Sequence, residues 1–412
     1  MDFACNHNAL LYALLASPQP SLTTTSIPLN FVMLNLNGIF RAVASSMVAL
    51  TIGVSGSAQN LIVVDDDGGP GVDFTNLIDA LAAAADGDVL LLKSGAYSGE
   101  VFFPTIPPIT RIDVNRPVVI QAEVGAVFSI LPDIFSVSAT SSGETTVVRG
   151  IPFGDTILQV LGAQGEVLFE GLSSQTRVTV EDSTNAIFVD CTFEGDDNSF
   201  LGAQTALALL RSNAFLYGCT MIGGDDTDIG DFGTIAIRVD GGSLNLSGGL
   251  LQHGLPLPAL PLLIDTNNNP FVRYRDGGVS ASDIGTSTLA PLFGTARTLK
   301  CNSPIREGEL VNVDLTGEPS DFALLFASPI LVPAFDAGLM IETFLPPHPM
   351  SFRFFAGNLN AAGTKSLSFP LLELGLGIET VPIYLQGYFI DLAANAVIET
   401  NPSLVVLLDQ SV

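Results

Sequence analysis

"NAIFVDCTFEGDD" occupies residues 185–197, and "NAFLYGCTMIGGDD" occupies residues 213–226. The second copy begins 28 residues after the first and carries a cysteine in the same place. Wider windows keep the spacing. "TRVTVEDSTNAIFVDCTFEGDD" starts at Thr176, "TALALLRSNAFLYGCTMIGGDD" at Thr205 and "TIAIRVDGGSLNLSGGLLQHG" at Thr234, steps of 29 and 29. A fixed period of this length marks stacked units that bury their apolar faces only against their neighbours. Two short strands and their turns are too little for a propeller blade. They suit one coil of a parallel stack, with coils about 4.8 Å apart.

Stacking sets like residues over like, so Val178, Leu207 and Ile235 are expected to align, followed by Val180, Leu209 and Ile237. The period-two rule puts Ile187, Val189, Cys191 and Phe193 on one inward face, under Phe215, Tyr217, Cys219 and Met221. Asn185 over Asn213 would make a short amide ladder. Cys191 and Cys219 would meet as a buried apolar stack. A disulfide is the alternative, because stacked strands bring Cα atoms near the roughly 4.4–6.8 Å the bond needs.

The remainder of the chain bounds the function. Hydrophobic residues make up 47% and charged residues 14%, too apolar for a disordered chain. Against 42 Asp+Glu stand 15 Lys+Arg, and the net charge of −27 repels phosphate, which argues against nucleic acid and anionic lipid as partners. Cys191, Cys219 and Cys301 form no C-x-x-C pair, which excludes zinc ribbons and thioredoxin-like chemistry.

Residues 1–58 read as an upstream extension plus a signal peptide. From Met33 the chain offers Arg41, the apolar run "AVASSMVALTIGV" and the small residues "SGSA" before Gln59. That run is too short for a comfortable membrane span. The expectation is a true start at Met33 and a mature chain from Gln59, secreted to the extracellular space or cell surface. It would have no membrane span and would be a monomer.

Leu77, Ile78, Leu81, Ala82 and Ala85 fall at helix spacing, with Thr75 or Asp73 placed to cap the start and Gly87 to end it. "DVLLLKSG" and "AYSGEVFF" then read as strands. The Pro- and Asn-rich stretch 255–270 interrupts the coils. From Ser303 the pattern changes to seven short alternating strands in about 110 residues, the β-sandwich pattern. The expected architecture is all-β: a parallel β-helix over 59–302 with a short N-terminal capping helix, then a β-sandwich module over 303–412.

The opening helix with "ADGDVLLLKSGAYSG" resembles the N-terminal cap and first coil of pectin-lyase-like right-handed β-helix proteins. The resemblance covers roughly Asn60 to Pro304. "REGELVNVDLTGEPSDFALLFAS" and "YLQGYFID" resemble a C-terminal module of secreted bacterial β-helix proteins. The resemblance implies a right-handed parallel β-helix, and it raises cleavage of acidic polysaccharide.

Hydrolases of that kind use clustered Asp, a His in Gly-His-Gly and a basic Arg-x-Lys. This chain offers Asp225 and Asp226, then His253 in Gln-His-Gly, then Arg273 and Arg275. The match departs at Gln252 and Arg275, and the Asn-Thr-Asp element is missing. Lyases of that kind hold Ca²⁺ on acidic side chains of neighbouring coils, with an Arg or Lys as base. Asp196, Asp197, Asp225 and Asp226 recur at coil spacing, with Arg211 and Arg238 as base candidates. Two readings of the four Asp stand: solvated Gly-Asp turns, or a Ca²⁺ site with backbone carbonyls, since Ca²⁺ takes six to eight oxygens in a flexible geometry. No cofactor is required. His348 lies in "PPHPM", and no G-x-S-x-G or metal-spaced His pair occurs. The residues favour a non-catalytic exported protein that contacts a polysaccharide or cell-surface glycan. A polysaccharide lyase or glycoside hydrolase is the alternative.

Overall fold

The computed structural model describes residues 59–410 apart from 104–107, 139, 197–203, 226–233, 256–262, 276–283, 286, 337–338, 347–350, 372, 376 and 392–395. The extension and signal sequence, and His348, lie outside the described residues. What is described is nearly all β, with parallel sheets and one helix.

Successive passages of the chain build three parallel stacks. The first runs through Ile109–Val114, Ile134–Ser138, Ile157–Leu161, Val178–Glu181, the first halves of Leu207–Tyr217 and Ile237–Ser247, and Ile264–Asn267. The second runs from Leu61–Val64 through Glu166–Glu170 and Asn185–Val189 to the second halves of the same two long strands, then Phe271–Arg275 and Thr288–Pro291. The third holds only short pieces: Pro152–Gly154, Ser173–Ser174, Thr192–Glu194, Thr220–Ile222 and Leu250–Gln252. Each passage therefore gives three strands, where the sequence pattern suggested two.

The corners between stacks are ladders of left-handed residues. Gly162, Asp182, Arg211, Gly241 and Asn268 mark one corner, with φ of 67, 49, 50, 76 and 56°. Gly150, Gly171, Asp190, Gly218 and Gly248 mark the next, with φ of 73, 64, 50, 63 and 70°. Each backbone N–H at the second corner donates to the coil above, as Asp190 does to Tyr217 O (2.9 Å) and Gly218 to Ser247 O (3.0 Å). The chain turns sharply without orphaning a buried amide.

That corner changes the expected facing. Ile187 and Val189 point outward, as do Phe215 and Tyr217, while Ala186, Phe188, Cys191 and Phe193 point inward with Ala214, Leu216, Cys219 and Met221. Strict alternation through Asp190 fails because a left-handed residue reverses the phase of the strand that follows. The third repeat is also corrected. Leu207 pairs with Ile237 and Leu209 with Val239, so Ile235 is not the core position. Cys191 and Cys219 are free thiols on neighbouring coils, buried against the carbonyls of Phe169 and Phe188. Asn213 does not ladder with Asn185; its amide donates to Thr184 O at 2.8 Å.

The helix Leu77–Ala83 covers the first coils with Leu77, Ala80 and Leu81. Its cap is Asn76, whose side chain accepts from Asp79 N at 2.7 Å. Asp73 cannot serve there because its carboxylate takes Val63 N instead. Ala82 and Ala85 are exposed, and Ala84 completes the buried face.

Beyond residue 297 the pairing is largely antiparallel. One sheet joins Thr298–Cys301, Leu310–Thr316 and Thr364–Pro370. Another joins Ile305–Arg306, Ala396–Leu408, Thr380–Asp391, Phe322–Ser328 and Phe352–Asn358. The two share a core that includes Leu299, Leu315, Leu325, Phe389 and Leu407. The other face of the second sheet lies on the outer face of the second parallel stack. There Leu168, Ile187, Val189 and Phe215 pack with Phe344, Tyr384, Leu404 and Val406.

Candidate functional site

The four acidic turn residues divide. Asp197 and Asp226 lie outside the described residues. Asp225 accepts a hydrogen bond from Leu255 N at 2.5 Å, which ties its turn to the next coil. Asp196 is half-buried and takes Gln204 N on its backbone carbonyl at 2.9 Å. Among the described residues, the acidic group whose ligand oxygens lie within 4.8 Å of one another is Asp65, Asp66 and Asp67 instead. Its members already have protein partners. Asp66 accepts from Ala96 N at 2.8 Å, and Asp65 lies 3.9 Å from Lys93.

The basic candidates are also occupied. Arg211 sits at a left-handed corner, 2.8 Å from Glu181 and 2.7 Å from Asp182 on the coil below. The two carboxylates push its guanidinium further above its already high range, which removes it as a base. Arg238 is exposed on the outer face of the first stack, in register with Asp265. Arg275 is fully buried with Glu399, and Arg273 lies between Phe271 and Phe335 with its charge on Glu342. The geometry does not bring either arginine together with Asp225 and His253. His253 is half-buried and its Nδ1 has no partner.

A concave site lies where the parallel stack meets the strand Thr298–Cys301. It encloses about 360 Å³ and is lined by Gln121, Glu123, Arg149, Glu170, Asp190, Lys300, Cys301 and Ser303, among others. Its floor follows from the corner ladder. Gly150 and Gly171 carry no side chain there, so the groove stays open beside Asp190. Gln121, Arg149 and Glu170 occupy one outward row, each in register with the next.

The inner part of the site is fixed. Glu170 accepts from Ser403 Oγ and from Leu404 N (3.1 Å), and lies 3.3 Å from Arg149. Arg149 also donates to Cys301 O at 2.9 Å and to Leu404 O. Ser303 Oγ donates to Gln121 Oε1 at 3.3 Å and accepts from Val406 N at 2.9 Å. Burial pushes the Cys301 thiol up to about 11, with Glu170 adding to the push, so it is a poor nucleophile at neutral pH.

The outer part is loose. Lys300 lies 3.2 Å from Asp190, with side-chain exposures of 65% and 35%. Exposed pairs of this kind are worth about 0–1 kcal/mol and exchange partners readily. The site thus offers fixed donors and acceptors inside and a displaceable ammonium outside, an arrangement suited to holding a hydroxylated or carboxylated ligand. Sequence reasoning missed Lys300 and Arg149 because their partners lie far along the chain. Compared with protein-family models and with curated proteins, the sequence matches none.

Proposed function

We propose that the chain is a secreted right-handed parallel β-helix closed by a C-terminal β-sandwich, of the pectin-lyase-like kind, that contacts a glycan at the cell surface or in the extracellular matrix without cleaving it. The observation that carries this reading is the seam cavity with Lys300 held loosely on Asp190 above a fixed polar floor. Its volume falls in the usual range for ligand sites, about 300–1,000 Å³. The parallel pairing supports the fold reading, since crossovers between parallel strands are right-handed in nearly all cases. Binding without turnover is supported by the occupied state of the acids and bases in and around the cavity.

The test is a glycan array with the full chain and with Lys300→Ala. Retention of an acidic or neutral polysaccharide by wild type, weakened in the variant, is the expected result. Retention that is equal in both removes the cavity from the account.

A further inference from the structure

We propose that the hairpin Ala334–Asp336/Ile341–Thr343 is a strap over a second ligand surface, and that lifting it admits a carboxylate-bearing sugar residue. The inference rests on the glycan reading above and concerns a different part of the seam.

The strap is held at few points. Its two short strands pair only with each other. Phe335 lies 3.7 Å over the Arg273 guanidinium, and Glu342 takes the Arg273 charge at 3.1 Å. Just after it, Phe344 meets Phe215 and Tyr217 edge-on, at 5.3 and 5.6 Å between centroids. Gln386 clamps its base by accepting from Phe344 N (2.9 Å) and donating to Glu342 O (3.1 Å).

The ground beneath is built unlike a closed core. Asn245 and Ser247 stand in register with Phe215 and Tyr217 on one side and with Arg273 and Arg275 on the other. Asn245 and Ser247 are 3% and 5% exposed, yet Asn245 Nδ2 and Ser247 Oγ have no hydrogen-bond partner, and neither does Arg273 Nε. Buried polar groups are nearly always paired, and unpaired ones call for an explanation. Three donors beside two aromatic rings form a surface for a sugar ring and its carboxylate. The rings provide stacking faces, and Arg273, once Glu342 leaves, provides a forked cation.

Glu342 supplies the release. Burial pushes its carboxyl up to about 7; Glu399 adds to the push while Arg273 and Arg275 oppose it. A carboxyl raised in the closed state stabilises closure while protonated, and that contribution is lost as pH rises through about 7. The strap is therefore firmest in acid and loosest in mild alkali. Tyr217 and Tyr388, which face the same cluster, are pushed up by burial and stay neutral across that window. Asp336 is the other acid on the strap.

The experiment follows hydrogen exchange of 334–344 and calorimetric binding of an oligogalacturonate, using the full chain at about pH 5.5 and about pH 8.5. Wild type should exchange faster at the higher pH after correction for intrinsic rates, and should gain about tenfold in affinity as the open fraction rises. Glu342→Gln should hold the strap shut at both values and lose the gain. Lys300→Ala should keep the gain while weakening the binding seen at low pH. Exchange that ignores pH, a gain that persists in Glu342→Gln, or faster exchange with no gain would each overturn the strap. Absence of binding at low pH with the gain intact would instead remove the cavity reading and leave the strap standing.

Discussion

The Arg275 guanidinium lies 2.9 Å from the Glu399 carboxylate, and neither side chain has any solvent exposure. Arg275 ends a strand of the second parallel stack, and Glu399 belongs to the strand Ala396–Leu408 of the antiparallel sheet that covers it. The joint between the two parts is thus a buried charge pair set in an apolar interface. Arg275 also donates to Phe293 O at 2.8 Å, so its fork is spent on structure.

Removing one partner strands the other charge in the interior. Arg275→Met or Glu399→Leu alone should cost about 3–5 kcal/mol, and the double variant should cost less than the sum. Denaturant titrations of the four proteins complete the cycle. Strict additivity would mean that the two groups do not hold each other.

Leu209 has no exposure in the shared interior, while Arg238 points outward on the next coil. Leu209→Asp should destabilise by about 3 kcal/mol or more, because its carboxylate finds no partner there. Arg238→Asp should stay within about 0.5 kcal/mol. Thermal melts separate the two; equal melts would put residue 209 outside the core.

At the corner, Gly218 has φ 63°, and a Cβ there would come 2.6 Å from Asp190 Oδ1. Gly218→Ala should cost about 1 kcal/mol or more through left-handed strain and this contact. Gly171→Ala carries the same strain with open space around it and should cost less. The same ranking from chemical denaturation checks the corner ladder.

The repeat at 29 residues made the coils legible, and period-two alternation marked the later strands, from Leu310–Thr316 to Ala396–Leu408. The phase reversal at Asp190 was not legible, because a single left-handed residue leaves no trace in an apolar pattern. The third stack was missed because a strand such as Thr192–Glu194 is too short to alternate. Arg273 and Arg275 looked like chemistry because their partners, Glu342 and Glu399, lie 69 and 124 residues away. One signal did exist. "AIFV" and "AFLY" are apolar at every position, whereas "VTVE" alternates. A strand apolar on both faces demands a cover, and the antiparallel sheet provides it.

For the acidic turns, the melting temperature of wild type should be the same in millimolar Ca²⁺ and in chelator, because the Asp225 carboxylate is already used on Leu255 N. A rise with Ca²⁺ that disappears in Asp225→Asn/Asp226→Asn would instead establish a cation between the coils, by linkage.

The central claim is glycan contact without cleavage, at a cavity whose outer cation is Lys300. It is tested most directly by incubating the full chain with the polysaccharide it retains, following bound fraction, reducing ends and the absorbance of unsaturated products together. The account predicts saturable binding, weakened about tenfold or more by Lys300→Ala, with reducing ends and absorbance flat over the whole time course. Accumulation of either product by wild type, or binding untouched by Lys300→Ala, would contradict it.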